Sequence, residues 1–310
     1  MTEFYCPYLG RLVRADLGTP EHVVPLAIGG SSALCVQVER AANNDLGRTV
    51  DAAMISLYAH RRLDFDLRGH SGKEPEFKLD VTVGGAPGIW EMRRDSGAVR
   101  LKPQVTRTVL PNGNLNVSIS GDGTDARKIA ANLRAAHESK GRHVASFVET
   151  VTVTERPEVT GVFDYDLGVS AKFQAKLALG MGHWLWGDGW SRAPAAVLLR
   201  RVLWSTTIDE IDAHAPTYAF MSPSDLRFKA RDHEHLFVAV PQPQPSGTML
   251  ALFLFGQPGY VITVGEPGEP LSEDIMAVIL DVTTRTVRRL TLHDLLAEDR
   301  LDIPRRDRGT

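Results

Sequence analysis

Residues 21–22 read Glu-His, and twenty-one positions after that histidine the chain reads Asn-Asn-Asp. A carboxylate and a carboxamide oxygen are hard donors of the kind Mg²⁺ or Mn²⁺ prefers. An imidazole is the side chain whose ordinary pKa lies near neutrality, so it can take a proton from water. One divalent cation beside one such base is enough to hydrolyse a phosphodiester, because the cation stabilises charge on the phosphate and on the leaving alkoxide. The candidates are Glu21 and Asn43 as ligands of Mg²⁺ or Mn²⁺, and His22 as the base, with Asn43 counted in the catalytic set as well. A Glu-His pair by itself is commonly a surface pair; its surroundings set this one apart.

Those surroundings are a short run of elements. His22-Val-Val-Pro is strand-like, Gly29-Gly30-Ser31-Ser32 is a loop, and residues 33–38 read as a second strand. From Asn43 the pattern turns helical, with Leu46, Val50, Ala53, Met54 and Leu57 on one face. Asn43 or Asn44 suits the helix cap, and the free N–H groups there favour a phosphate oxygen. The helix runs out at His60-Arg61-Arg62, and residues 68–76 read as a linker.

Strand, Pro and Gly-Gly loop, strand and Asn-opened helix together resemble the core of an HNH endonuclease over residues 19–55. The resemblance implies a ββα-metal unit acting on DNA. There Glu21 and Asn43 hold the metal, His22 activates water, and Gly29 and Gly30 form the loop. Many relatives also carry two Cys-x-x-Cys pairs around a structural zinc. Here Cys6 has Leu9 where its partner would sit, and Glu39 and Ala42 occupy the second pair, so no structural zinc is expected. Apolar packing through Tyr5, Tyr8, Leu9, Leu12 and Val36 would replace it. Leu34 stands at the middle asparagine of the pattern. These departures favour an alternative: a catalytically degenerate HNH-fold protein that binds nucleic acid or regulates.

Arg61, Arg62, Arg68, His70 and Lys73 follow the unit and are candidates for gripping the nucleic-acid backbone. Asp51 is read as an orienting or an exposed helical residue, and Lys172 and Lys176 as solvated. Arg93, Arg94, Arg100, Lys102 and Arg107 lie on neighbouring strands as a weaker DNA-facing candidate. His233 and His235, in Asp-His-Glu-His, would share one strand face as metal ligands, but a surface turn is the plainer reading. Trp184, Trp186 and Trp190 read as core.

The rest of the chain alternates strands and helices irregularly. Strands are expected at 77–83, 89–93, 99–110, 115–119, 144–153, 236–240, 249–255, 260–264 and 275–282, with a hairpin turn at Gln257-Pro258-Gly259. Helices are expected at about 125–139, 170–186, 193–204 and 293–298. The fold class is therefore α+β: an N-terminal ββα-metal HNH unit over residues 1–70, then a larger mixed α+β accessory or targeting domain over 75–310. A net charge of −3 excludes a polycation, so any phosphate-binding charge is local. Two cysteines rule out a disulfide scaffold, and no apolar run is long enough to span a bilayer. Without a signal peptide pattern, the expected location is the cytoplasm, with DNA as partner and no membrane; the oligomeric state is left open.

Overall fold

The computed structural model describes the chain except residues 1, 95, 113, 122, 142–157, 162–165, 214–217, 221–227, 242–247, 265–273 and 302–310. It divides into two units, Met1–Pro75 with Tyr165–Thr310, and Glu76–Asp164. The first boundary falls at the linker the sequence suggests. The expected second domain, however, is an insertion plus a return: the chain comes back at about residue 165 to complete the unit it began.

In the first unit β1 (Glu3–Cys6) pairs with β2 (Arg11–Arg14), and β3 (Gly18–His22) pairs antiparallel with β4 (Cys35–Glu39), setting His22 opposite Cys35. The connecting loop turns through Gly29, at φ +93°, into Gly30. A Cβ on Gly30 would sit 1.8 Å from the Val24 carbonyl oxygen, so no other residue fits there. The strand runs straight into helix α1 (Arg40–Leu46), a five-residue π-helical turn (Gly47–Asp51) and helices α2 (Ala52–Leu57) and α3 (Ala59–Asp64). Asn43 therefore lies inside the helix rather than at its opening; Glu39, extended at φ −67° and ψ 132°, occupies the cap position without a side-chain bond. Leu46, Val50 and Met54 are buried as their spacing predicts, whereas Ala53 is exposed. The wide π turn brings Asp51 inward beside Val50.

The second unit holds β5 (Phe77–Val83), β6 (Ala86–Arg93), β7 (Ser96–Leu101), the hairpin β8 (Gln104–Val109) with β9 (Leu115–Ser120), α4 (Gly123–Glu138) and β10 (Val159–Gly161). Its four-stranded sheet runs β10-β5-β6-β7. The expected single strand over 99–110 is two strands, broken at Lys102-Pro103, where proline removes a ladder donor. The strand expected at 144–153 lies outside the described residues.

After the insertion come α5 (Leu167–Trp186), α6 (Asp188–Arg192), α7 (Pro194–Trp204) and α8 (Ile208–Asp212). An antiparallel sheet follows from β11 (Tyr218–Phe220), β12 (Glu234–Pro241), β13 (Thr248–Leu254), β14 (Gln257–Val264), β15 (Met276–Asp281) and β16 (Val287–Thr291), in the order β11-β14-β13-β12-β15-β16. Helix α9 (Leu292–Ala297) closes it. The turn between β13 and β14 is Phe255-Gly256, both left-handed at φ 52° and 70°, immediately before the expected Gln257-Pro258-Gly259. Both faces of β12, β13 and β15 are buried, which is why these strands read as largely apolar runs. Phe237 and Val278 join the main core with Phe173, Leu177, Met181 and Trp190, while Leu236 and Ile279 pack with Leu295 on the other side.

Helix α5 is apolar almost all round, and its middle is sunk in the main core. Cys6, Tyr8, Val36 and Leu34 join that core; Leu12, about half exposed, takes no part. Among the described residues no helix is long and apolar enough to cross a membrane.

Candidate functional site

Glu21 and His22 are consecutive at the end of β3, and consecutive strand residues face opposite sides. Glu21 points inward and is buried; His22 lies half-exposed. From this single step two different environments arise.

On the inner side, Glu21 Oε1 and Asp51 Oδ2 each accept a hydrogen bond from the Lys176 ammonium, both at 2.5 Å. Lys176 is fully buried, in the middle of α5. The sequence reading of a solvated Lys176 and of an exposed Asp51 is thus corrected: the π turn and the central helix aim them at each other. Burial raises the Asp51 carboxyl above its ordinary range, and the neighbouring ammonium offsets only part of that. Tyr8 packs beside the cluster, 6.0 Å from ring centroid to Nζ, and burial reinforced by Glu21 and Asp51 pushes its phenol well up. The Tyr8 hydroxyl and Asp51 Oδ1 are buried with no hydrogen-bond partner among the described residues.

On the outer side, His22 Nε2 lies 3.3 Å from Ser32 Oγ, and its ring meets His70 edge-on at 5.5 Å between centroids. Burial lowers the His22 pKa; Glu21 opposes this, while His70, Arg285 and Lys176 add to it. A neutral imidazole at neutral pH is the form a general base requires. Arg285 arrives from the turn after β15. There Asp281 Oδ1 accepts the N–H groups of Thr283 and Thr284, and Arg285 is left-handed at φ 58°. Its guanidinium donates to the Arg68 carbonyl at 2.8 Å. Three segments distant in sequence therefore converge: the loop after β3, the stretch after α3 and the turn before β16. Loop and turn touch closely, since a Cβ on Gly29 would lie 2.5 Å from Val282 Cβ.

The remaining candidates separate. Asn43 is half-buried in α1, and among the described residues its carboxamide bonds neither Glu21 nor His22. Arg62 is structural: Nε donates to the Ala27 carbonyl at 2.9 Å, bracing the loop, and burial lowers its pKa. Arg61 lies 3.8 Å from Asp64, and Arg68 pairs with Asp66 and Glu74 at the surface. His70 and Lys73 are exposed. In the second unit Arg93 pairs with Glu76, Arg100 with Glu91 and Lys102 with Asp80, which leaves that candidate DNA face largely self-neutralised.

The Asp-His-Glu-His stretch does not form a ligand face. His235 is fully buried: its Nδ1 accepts the Phe255 N–H at 3.2 Å, which leaves Nε2–H to donate to the Ile28 carbonyl at 2.8 Å. Burial pushes its pKa down to about 4. It ties the loop after β3 to the large sheet. His233 lies in the turn before β12, 3.9 Å from Asp281, beside a cavity of about 420 Å³. Acids and bases around that cavity are mutually paired, Glu234 with Arg300 and Arg288 with Glu298. Among the described residues no three His, Cys, Asp or Glu side chains gather as a metal cluster.

A divalent cation on Glu21, as the family resemblance implies, does not fit these surroundings. Mg²⁺ would sit about 2 Å from the carboxylate oxygen. The Lys176 ammonium already lies 2.5 Å from Glu21 Oε1. Two unit charges about 4 Å apart near a protein surface repel by about 4 kcal/mol, so an ammonium and a divalent ion there would repel by about 8 kcal/mol. The carboxylate that would hold the metal already holds a cation.

Compared with known proteins, the chain matches no family model, no curated protein and no solved structure.

Proposed function

We propose that the first unit is an HNH-like nucleic-acid-binding module that keeps the strand, loop, strand and helix order of the nuclease but does not use a metal on Glu21 for turnover. The observation that carries this is the Lys176 ammonium bonded to Glu21 and Asp51. The outer cluster supports phosphate recognition: His70 and Arg285 lie beside His22 on a chain whose overall charge is slightly negative. Such contacts position a protein on the backbone without reading sequence, and binding through them falls with salt.

Fluorescence anisotropy with a labelled duplex in EDTA tests the reading. Binding that weakens steeply between 50 and 200 mM salt is expected; no binding at the lower salt would reject it. A second reading, phosphodiester hydrolysis with His22 taking the proton from water, is favoured by the lowered pKa of that imidazole. Plasmid nicking by the wild type that disappears in His22→Ala would select it over the binding module.

A further inference from the structure

We infer that Lys176 is the permanent cation of this site, bonded to the Glu21 carboxylate on which an HNH-type unit would hold Mg²⁺ or Mn²⁺, and that Glu21 and Asp51 form a latent two-carboxylate metal site around it. The inference rests on the HNH-like reading of β3, β4 and α1 for the comparison with a metal, but its measurement is separate.

Three segments build the cluster: the end of β3, the π turn after α1 and the centre of α5, with Glu21 and Lys176 155 positions apart. All three side chains are buried, and Lys176 completely so. Oxygen acceptors outnumber the hydrogens supplied. The ammonium has three N–H bonds, two of them committed to Glu21 Oε1 and Asp51 Oδ2. Asp51 Oδ1 remains buried and unpartnered, and so does the hydroxyl of Tyr8, whose ring centroid lies 6.0 Å from the ammonium. The two carboxylates that converge on the ammonium are a hard-oxygen pair, the chemistry that suits Mg²⁺ and Mn²⁺ rather than zinc. What excludes the ion is the tethered ammonium, a compact charge that cannot diffuse away.

Removing the amine should therefore expose the site rather than merely empty it. Full-length protein, dialysed against EDTA and then into metal-free buffer, is titrated with Mn²⁺ while the electron paramagnetic resonance signal of the free ion is followed. The wild type is expected to leave Mn²⁺ free. Lys176→Met is expected to take up one Mn²⁺ per chain, and Lys176→Met with Glu21→Gln to lose that uptake. Wild-type uptake abolished by Glu21→Gln would overturn the inference, and so would a folded Lys176→Met that takes up none. Should Lys176→Met be unfolded without metal, its Mn²⁺-dependent refolding by circular dichroism becomes the readout; refolding supports the site and failure to refold overturns it. Absence of DNA binding would reject the proposed function while leaving the Mn²⁺ result intact.

Discussion

Glu21 and His22 are neighbours in sequence, yet they belong to two regions built on opposite principles. The inner region is closed: Glu21, Asp51 and Lys176 are buried, charged and bonded to one another. The outer region is open: His22, Ser32, His70 and Arg285 stand at or near the surface, joined by one weak bond and ring contact. The contrast teaches that two neighbouring residues of one motif can be divided between a closed, buried charge cluster and an open surface one. A buried charge cluster is costly to assemble and costlier to break. An exposed one costs the fold little and stays free to meet a ligand.

The largest expected effect breaks the inner region. Lys176→Ala leaves two carboxylates facing each other without a cation, and should destabilise the first unit by about 3–5 kcal/mol in urea denaturation. Replacing all three charges together, with Lys176→Met, Glu21→Gln and Asp51→Asn, should recover most of that loss. If the triple variant is as unstable as the single one, the charge argument fails and the loss is one of packing.

Next in size is the histidine that binds the loop to the sheet. His235 has a folded pKa of about 4, below its unfolded value near 6.5. Protons bind the unfolded chain more readily between those values, so its contribution is complete above pH 6.5 and is lost as pH falls towards 4. The loss amounts to roughly 3 kcal/mol. Urea midpoints measured across that range in wild type and His235→Gln should converge at low pH; parallel curves would deny the buried neutral imidazole its role.

The outer region should respond in binding rather than stability. Arg285→Ala should lower affinity for a DNA duplex and reduce the slope of log K against log salt by about 1. An unchanged slope would remove Arg285 from the phosphate-contacting surface. Smallest of all, His22→Ala should shift stability by no more than about 0.5 kcal/mol, as expected for a partly exposed side chain. A large loss would merge the two regions and end the comparison.

Much of the local architecture was legible. Leu46, Val50 and Met54 announce an inward helix face, and Phe173, Leu177 and Met181 announce α5. Gly29-Gly30 marks the tight loop, and apolar runs mark the buried sheet. Boundaries were harder. Asn43 reads as a cap because short polar side chains favour that role, but β4 feeds the helix directly at Arg40. Phe255-Gly256 forms the hairpin turn despite the more evident Pro258-Gly259, because two left-handed residues suit the twist of the strands.

Sequence by itself settled the residue types at the end of β3 and the periodicity of the helices, but not that the chain returns at about residue 165 to the unit it began. Tertiary structure alone decided that Lys176 is buried, that Asp51 faces it, that Arg62 braces a loop and that Arg285 joins His22. The physical reason is range. Propensity and periodicity act over a few residues and can be read along the chain. An ion pair spanning 155 positions depends on which helix fills the core, and no local pattern carries that information.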